Sequence, residues 1–177
     1  MARTLRMRRS QTAASGMLLV LLGVWGGLIP FIGPYFHYAY TPDKAWDYTT
    51  ARLWLEILPG AAVFLGGVLL VTARSRAAAA FGAMLAAAAG AWFVLGTVLS
   101  PLWNHGVTLG GSPAGTTVAL RTAEQLGFFT GLGVVVIGLA ALAFGHATAW
   151  PVVVGYRRDR DAVDEDAEDE ATQPISR

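Results

Sequence analysis

The chain has 177 residues, 54% of them hydrophobic and 14% charged, with a formal net charge of +1 and no cysteine. Soluble domains carry about 25% charged residues, so the composition is not that of an ordinary soluble domain. The lack of cysteine excludes disulfides, thiolate metal sites and cysteine catalysis.

The charge deficit is concentrated. Residues 17–40, 57–73, 77–120 and 125–156 carry no Asp, Glu, Lys or Arg. A bilayer span takes about 20 mostly apolar residues, and the third stretch holds a span plus a loop. The expected fold is an all-α membrane protein with four transmembrane helices, arranged as two tandem parallel hairpin repeats.

In chain order, residues 1–15 form a basic N-terminus with Arg3, Arg6, Arg8 and Arg9. The apolar run after it ends in prolines and aromatics without a small-x-small cleavage site, so it reads as a retained anchor. The first hairpin covers 16–73. Its first helix, about 16–31, places Gly23 and Gly27 four apart on one packing face. Pro30 and Pro34 end or kink that helix. The outer loop spans about 35–53, and Tyr35, Phe36, Tyr38 and Tyr40 suit the headgroup level. Thr41, Pro42 and Asp43 have the residue types of a helix start, predicting a polar surface helix over 42–53. The second span then runs from about 54 to 72.

Residues 74–76 form a short basic turn, and the second hairpin covers 77–150. Its first helix runs to about 99, with Gly82, Ala86 and Gly90 as a small-residue ridge for close helix contact. An outer loop over about 102–121 follows, with a return helix expected to start near Ser112 and Pro113. The last span covers about 122–148 and repeats the small-residue spacing at Gly127 and Gly131. Residues 157–177 are charged, free of aromatics and poor in large aliphatics, the composition of a disordered acidic tail.

Nine arginines lie in the N-terminus, the 74–76 turn and the start of the tail, against Lys44, Arg52 and Arg121 in the two other loops. The asymmetry places both termini in the cytoplasm. Arginine outnumbers lysine 12 to 1, which, with abundant Ala and Gly, fits a high-GC bacterial genome and so a bacterial plasma membrane.

The hairpins align with each other. Trp25 to Pro34 and Trp92 to Pro101 are both nine residues. His37 matches His105, Arg52 matches Arg121 and Glu56 matches Glu124, so that with the Trp and Pro pairs every offset is 67 to 69. Both copies start on the same side, so a pseudo-twofold axis along the membrane normal is expected. An apolar helix ending in Ser100, Pro101 and Trp103, with Trp92 and Gly96 before and Gly127 and Gly131 after, resembles the SPW-repeat membrane proteins of prokaryotes. Trp25, Gly26, Pro34 and Gly60 would form a degenerate first copy. Two departures stand: Leu102 interrupts Ser-Pro-Trp, and the first copy has Gly33-Pro34-Tyr35 instead. The resemblance spans roughly 16–148. It implies a compact repeat-built membrane protein and no established chemistry.

Symmetry could gather His37, His105, Glu56 and Glu124 at the outer face, where imidazole and carboxylate would suit a divalent ion. Against this, Glu56 follows Arg52 by four and Glu124 follows Arg121 by three, spacings for local ion pairs. His146 has no facing histidine for haem. No nucleophile–base pair, P-loop or dinucleotide fingerprint is present, and no basic surface suggests nucleic acid. The leading expectation is a non-enzymatic membrane protein without a cofactor, a subunit or scaffold whose partners are the lipid bilayer and other membrane subunits or further copies of itself. A small oligomeric transporter or channel using Glu56 and Glu124 is the alternative, and a metal-binding membrane protein the third.

Overall fold

The computed structural model describes residues 2–41 and 44–148, the side chains of 2–11 excepted. The expected acidic tail at 157–177 lies outside the described residues, as do Pro42 and Asp43. The described chain is almost entirely helical, and its four long apolar helices can each cross a membrane by length and composition.

Helix α1 spans Ala2–Ile32 and so runs back through the basic N-terminus, beyond the expected start at 16. Its apolar part continues into a 3-10 turn, Gly33–Phe36. Helix α2 spans Thr50–Thr72, with Leu53–Ile57 wound as a π turn. Pro59 lies just beyond that turn, and its missing amide and ring disfavour a regular α turn over the preceding residues. Helix α3, Arg76–Leu99, starts where Ser75 Oγ accepts the Ala78 N–H at 3.1 Å. A second 3-10 turn, Ser100–Leu102, closes it.

The last span is interrupted. Helix α4 covers Val118–Phe128 and helix α5 covers Thr130–Thr148. The single helix expected from 122 is therefore corrected twice. It starts earlier, because Thr117 Oγ1 caps it by accepting the Leu120 N–H at 3.2 Å, and it breaks at Phe129, which has φ −128° and ψ −80°. Gly131 permits the close restart, since a Cβ there would sit 2.7 Å from the Leu126 carbonyl oxygen.

Among the described residues two expected loop helices are absent. Residues 44–49 are non-helical, and Thr49 rather than Thr41 caps α2, its Oγ1 accepting the Arg52 N–H at 3.2 Å. Thr41 is held by the other loop instead. Pro113 starts no helix; it pairs with Tyr40 in an isolated antiparallel bridge.

Around the bundle the order is α1, α2, α3, α5, each packed on the next and α5 back on α1, while the diagonal pairs barely touch. The interior is built from small residues and a few large ones, among them Ala83, Ala86, Val136 and Phe93. Met17, Leu21, Phe81, Met84, Leu95 and Leu142 point outward. Small residues inside and large apolar ones outside suit lipid, where close backbone packing replaces the hydrophobic drive between helices.

The close approaches fall at the glycines. A Cβ on Gly23 would lie 2.5 Å from the Phe64 amide nitrogen of α2. One on Gly90 would meet Val136, Gly133 and Ile137 of α5 at 2.8–3.0 Å. Gly82 and Ala86 lie against Gly66 of α2, and Gly27 offers its backbone to Gly60. Gly127 is different: a Cβ there would strike the Tyr38 hydroxyl of the first loop, and Gly131 serves the break in its own span.

Candidate functional site at the loop end of the bundle

At one end of the bundle the two long loops meet over two buried carboxylates. Glu124, in the middle of α4, is 0% exposed. Its Oε2 accepts the Gly115 N–H at 2.9 Å and its Oε1 accepts the Ala39 N–H at 3.3 Å. One carboxylate thus fastens both loops. Above it the loops pair directly: Thr41 N–H donates to the Ser112 carbonyl and Ala114 N–H to the Ala39 carbonyl, each at 3.0 Å. Thr41 Oγ1 accepts the Ser112 N–H at 2.9 Å. Beside it, Tyr38 donates its hydroxyl to the Ala123 carbonyl at 2.5 Å.

Tyr38 and Tyr40 pack on Phe128 with ring centroids 5.5 and 5.0 Å apart, and Tyr40 meets Phe129 edge-on at 5.1 Å. Burial, then the charges of Glu124 and Glu56, pushes the Tyr40 hydroxyl up to about 12. The same two leading causes, burial and Glu124, raise Tyr38. Both hydroxyls therefore stay neutral.

Glu56 is placed by the π turn and is 3% exposed. Its Oε2 is buried without a hydrogen-bond partner. Arg52, one turn earlier and 5% exposed, donates from Nη1 to the Asp47 carbonyl at 2.7 Å and the Lys44 carbonyl at 3.3 Å. Arg121 acts alike, donating from Nε to the Gly115 carbonyl at 2.7 Å. Both arginines brace their own loop, and no ion pair joins Arg121 to Glu124 among the described residues. The exposed local pairs expected from the spacing are replaced, at Glu124, by backbone amides around a fully buried carboxylate. Beside Glu56 lies a cavity of about 220 Å³ lined by Thr41, Thr49, Arg52, Glu56, Thr108 and Gly110, among others.

The histidines do not join the glutamates. His37 and His105 are exposed at loop tips with left-handed φ of 58° and 50°. Among the described residues no three His, Asp or Glu side chains are grouped to hold a metal ion.

The residues of the expected repeat motif sit in turns and at helix contacts. Pro34 and Pro101 sit in the two 3-10 turns. Trp25 Nε1 donates to the Gly127 carbonyl at 3.2 Å, and Trp92 Nε1 to the Trp54 carbonyl at 2.9 Å. Each tryptophan thus bonds across from one helix pair to the other. Trp92 also stacks on Trp103, centroids 5.7 Å apart. Ser100 is fully buried; its hydroxyl donates to the Thr97 carbonyl at 2.7 Å and accepts the Leu109 N–H at 2.8 Å, holding the second loop down.

Sequence reasoning found the two glutamates but missed Tyr38, Thr41 and Ser112 as the residues that join the loops. Gly110-Gly111 was the available signal. Both have positive φ, and a Cβ on Gly111 would strike the Thr41 carbonyl oxygen. No family model matches the chain, and neither a curated protein nor a solved structure matches it.

Proposed function

We propose that this chain is a non-enzymatic multi-pass membrane protein of two tandem parallel hairpin repeats, serving as a subunit or scaffold of a membrane assembly. The observation that carries the reading is the cap, in which Glu124 and the Tyr40–Pro113 bridge bind the two loops into one surface. A rigid surface costs little ordering entropy on docking. Support for the duplication comes from the paired 3-10 turns, the two left-handed histidines after them, the reciprocal tryptophan bonds and the matching Arg52 and Arg121 braces. The likeness to SPW-repeat proteins, a bacterial plasma membrane and cytoplasmic termini belong to the same reading.

One observation favours a second reading, in which the loop end takes up a small solute: the unpartnered Glu56 oxygen beside a cavity. The metal-binding reading has no such support. Crosslinking in native membranes tests the leading proposal. A discrete higher-mass species at low crosslinker is expected. A chain that stays monomeric under all conditions, yet carries ions into proteoliposomes, would overturn it.

A further inference from the structure

We propose that the cavity beside Glu56 is a binding site for a small protonated amine. The argument starts from an imbalance. A buried carboxylate oxygen without a donor forfeits a strong hydrogen bond, and buried polar groups are nearly always satisfied. In Glu56 that oxygen belongs to a residue 3% exposed, in the wall of a cavity of about 220 Å³. At ~30 Å³ per water, that volume is roughly seven waters.

The other glutamate shows what chemistry completes such a group. Glu124 is equally buried, and both its oxygens accept N–H donors, from Gly115 and Ala39. At Glu56 no backbone amide reaches Oε2, and the residue lines a cavity. A ligand that fills the space and brings N–H donors supplies what the loops supply to Glu124. An ammonium has three such donors. Thr41, Thr49 and Thr108, which line the cavity, carry hydroxyl acceptors for the remaining ones.

The alternatives fit less well. An anion would face the Glu56 carboxylate. A divalent ion would have a single carboxylate to hold it, since no further His, Asp or Glu is grouped there among the described residues. A bare monovalent metal ion is far smaller than the space, whereas an ammonium with a short carbon body matches it.

The test is calorimetric titration of the purified full chain in nanodiscs at constant ionic strength. The probes are methylammonium, ethanolamine and tetramethylammonium, which carries the same charge without an N–H. Saturable binding of methylammonium or ethanolamine at one per chain, and none of tetramethylammonium, is expected. Glu56→Gln should weaken it by at least about tenfold while circular dichroism stays unchanged. Ala51→Leu, which keeps the carboxylate and fills the cavity, should weaken it as well. No saturable binding up to about 100 mM, equal binding of tetramethylammonium, or full affinity in both variants would overturn the proposal. None of these outcomes bears on the crosslinking result.

Discussion

Glu124 is the residue on which the loop end depends. Both of its oxygens accept N–H groups, so Glu124→Gln does more than remove a charge. The amide presents one oxygen and one NH2, and the NH2 must face the N–H of Ala39 or Gly115. Hydrogen bonds to a charged group contribute about 1.5–3 kcal/mol, and an opposed donor leaves a buried N–H unsatisfied as well. The expected outcome is a loss of about 2–3 kcal/mol, read from thermal or denaturant unfolding in detergent. An exposed Arg–Glu pair would contribute only about 0.3–0.5 kcal/mol. A loss that small would mean that Glu124 does not fasten the loops. Glu56 is not its energetic equivalent, because one of its oxygens has no donor to lose.

At the scale of the element, the helices are sorted by where their small residues lie. Gly90 sits where α3 meets α5, and a Cβ there would be 3.0 Å or less from Val136, Gly133 and Ile137. Gly138 on α5 has nothing within 4 Å of such a Cβ. Gly90→Ala is therefore expected to destabilise, since overpacking costs about 1–3 kcal/mol against a gain in helix propensity of about 1 kcal/mol. Gly138→Ala keeps the gain alone and should be neutral or stabilising. Equal melting temperatures for the two variants would remove the α3–α5 contact from the account. The irregular windings also have local causes. Pro59 follows the π turn that carries Glu56, and Gly131 allows the restart after Phe129, where two phenylalanines turn toward Tyr40.

For the whole molecule, the up-and-down path puts both long loops at one end and the turn at 73–75 at the other. In the proposed topology, which rests on the arginine bias, the loop end lies outside the cell. The chain has no native cysteine, so single cysteines report cleanly. Val107→Cys, 61% exposed in the second loop, should react with a membrane-impermeant maleimide in intact cells. Arg74→Cys, in the exposed turn, should react only after permeabilisation. The reverse pattern would invert the topology. Val107 is preferred to Gly110, whose φ of 107° would strain any side chain.

The sequence by itself determined the four spans, because bilayer thickness and the cost of charge in lipid leave few ways to arrange long charge-free stretches. It also located the short turn at 74–76 and the prolines at the ends of α1 and α3, since backbone constraints at proline act within one turn. It singled out Glu56 and Glu124 by their place in matching segments. Only the tertiary structure decided what the glutamates do. Their Arg neighbours suggested ion pairs, but the partners of Glu124 are amides 85 and 9 residues away. Which amide reaches a carboxylate depends on how two loops fold over each other, and no local periodicity encodes that. The same holds for the Tyr40–Pro113 bridge, which joins the two loops where helices were expected. Local helix propensity there is weak, and backbone hydrogen bonds between the loops, made over a buried charge, outweighed it.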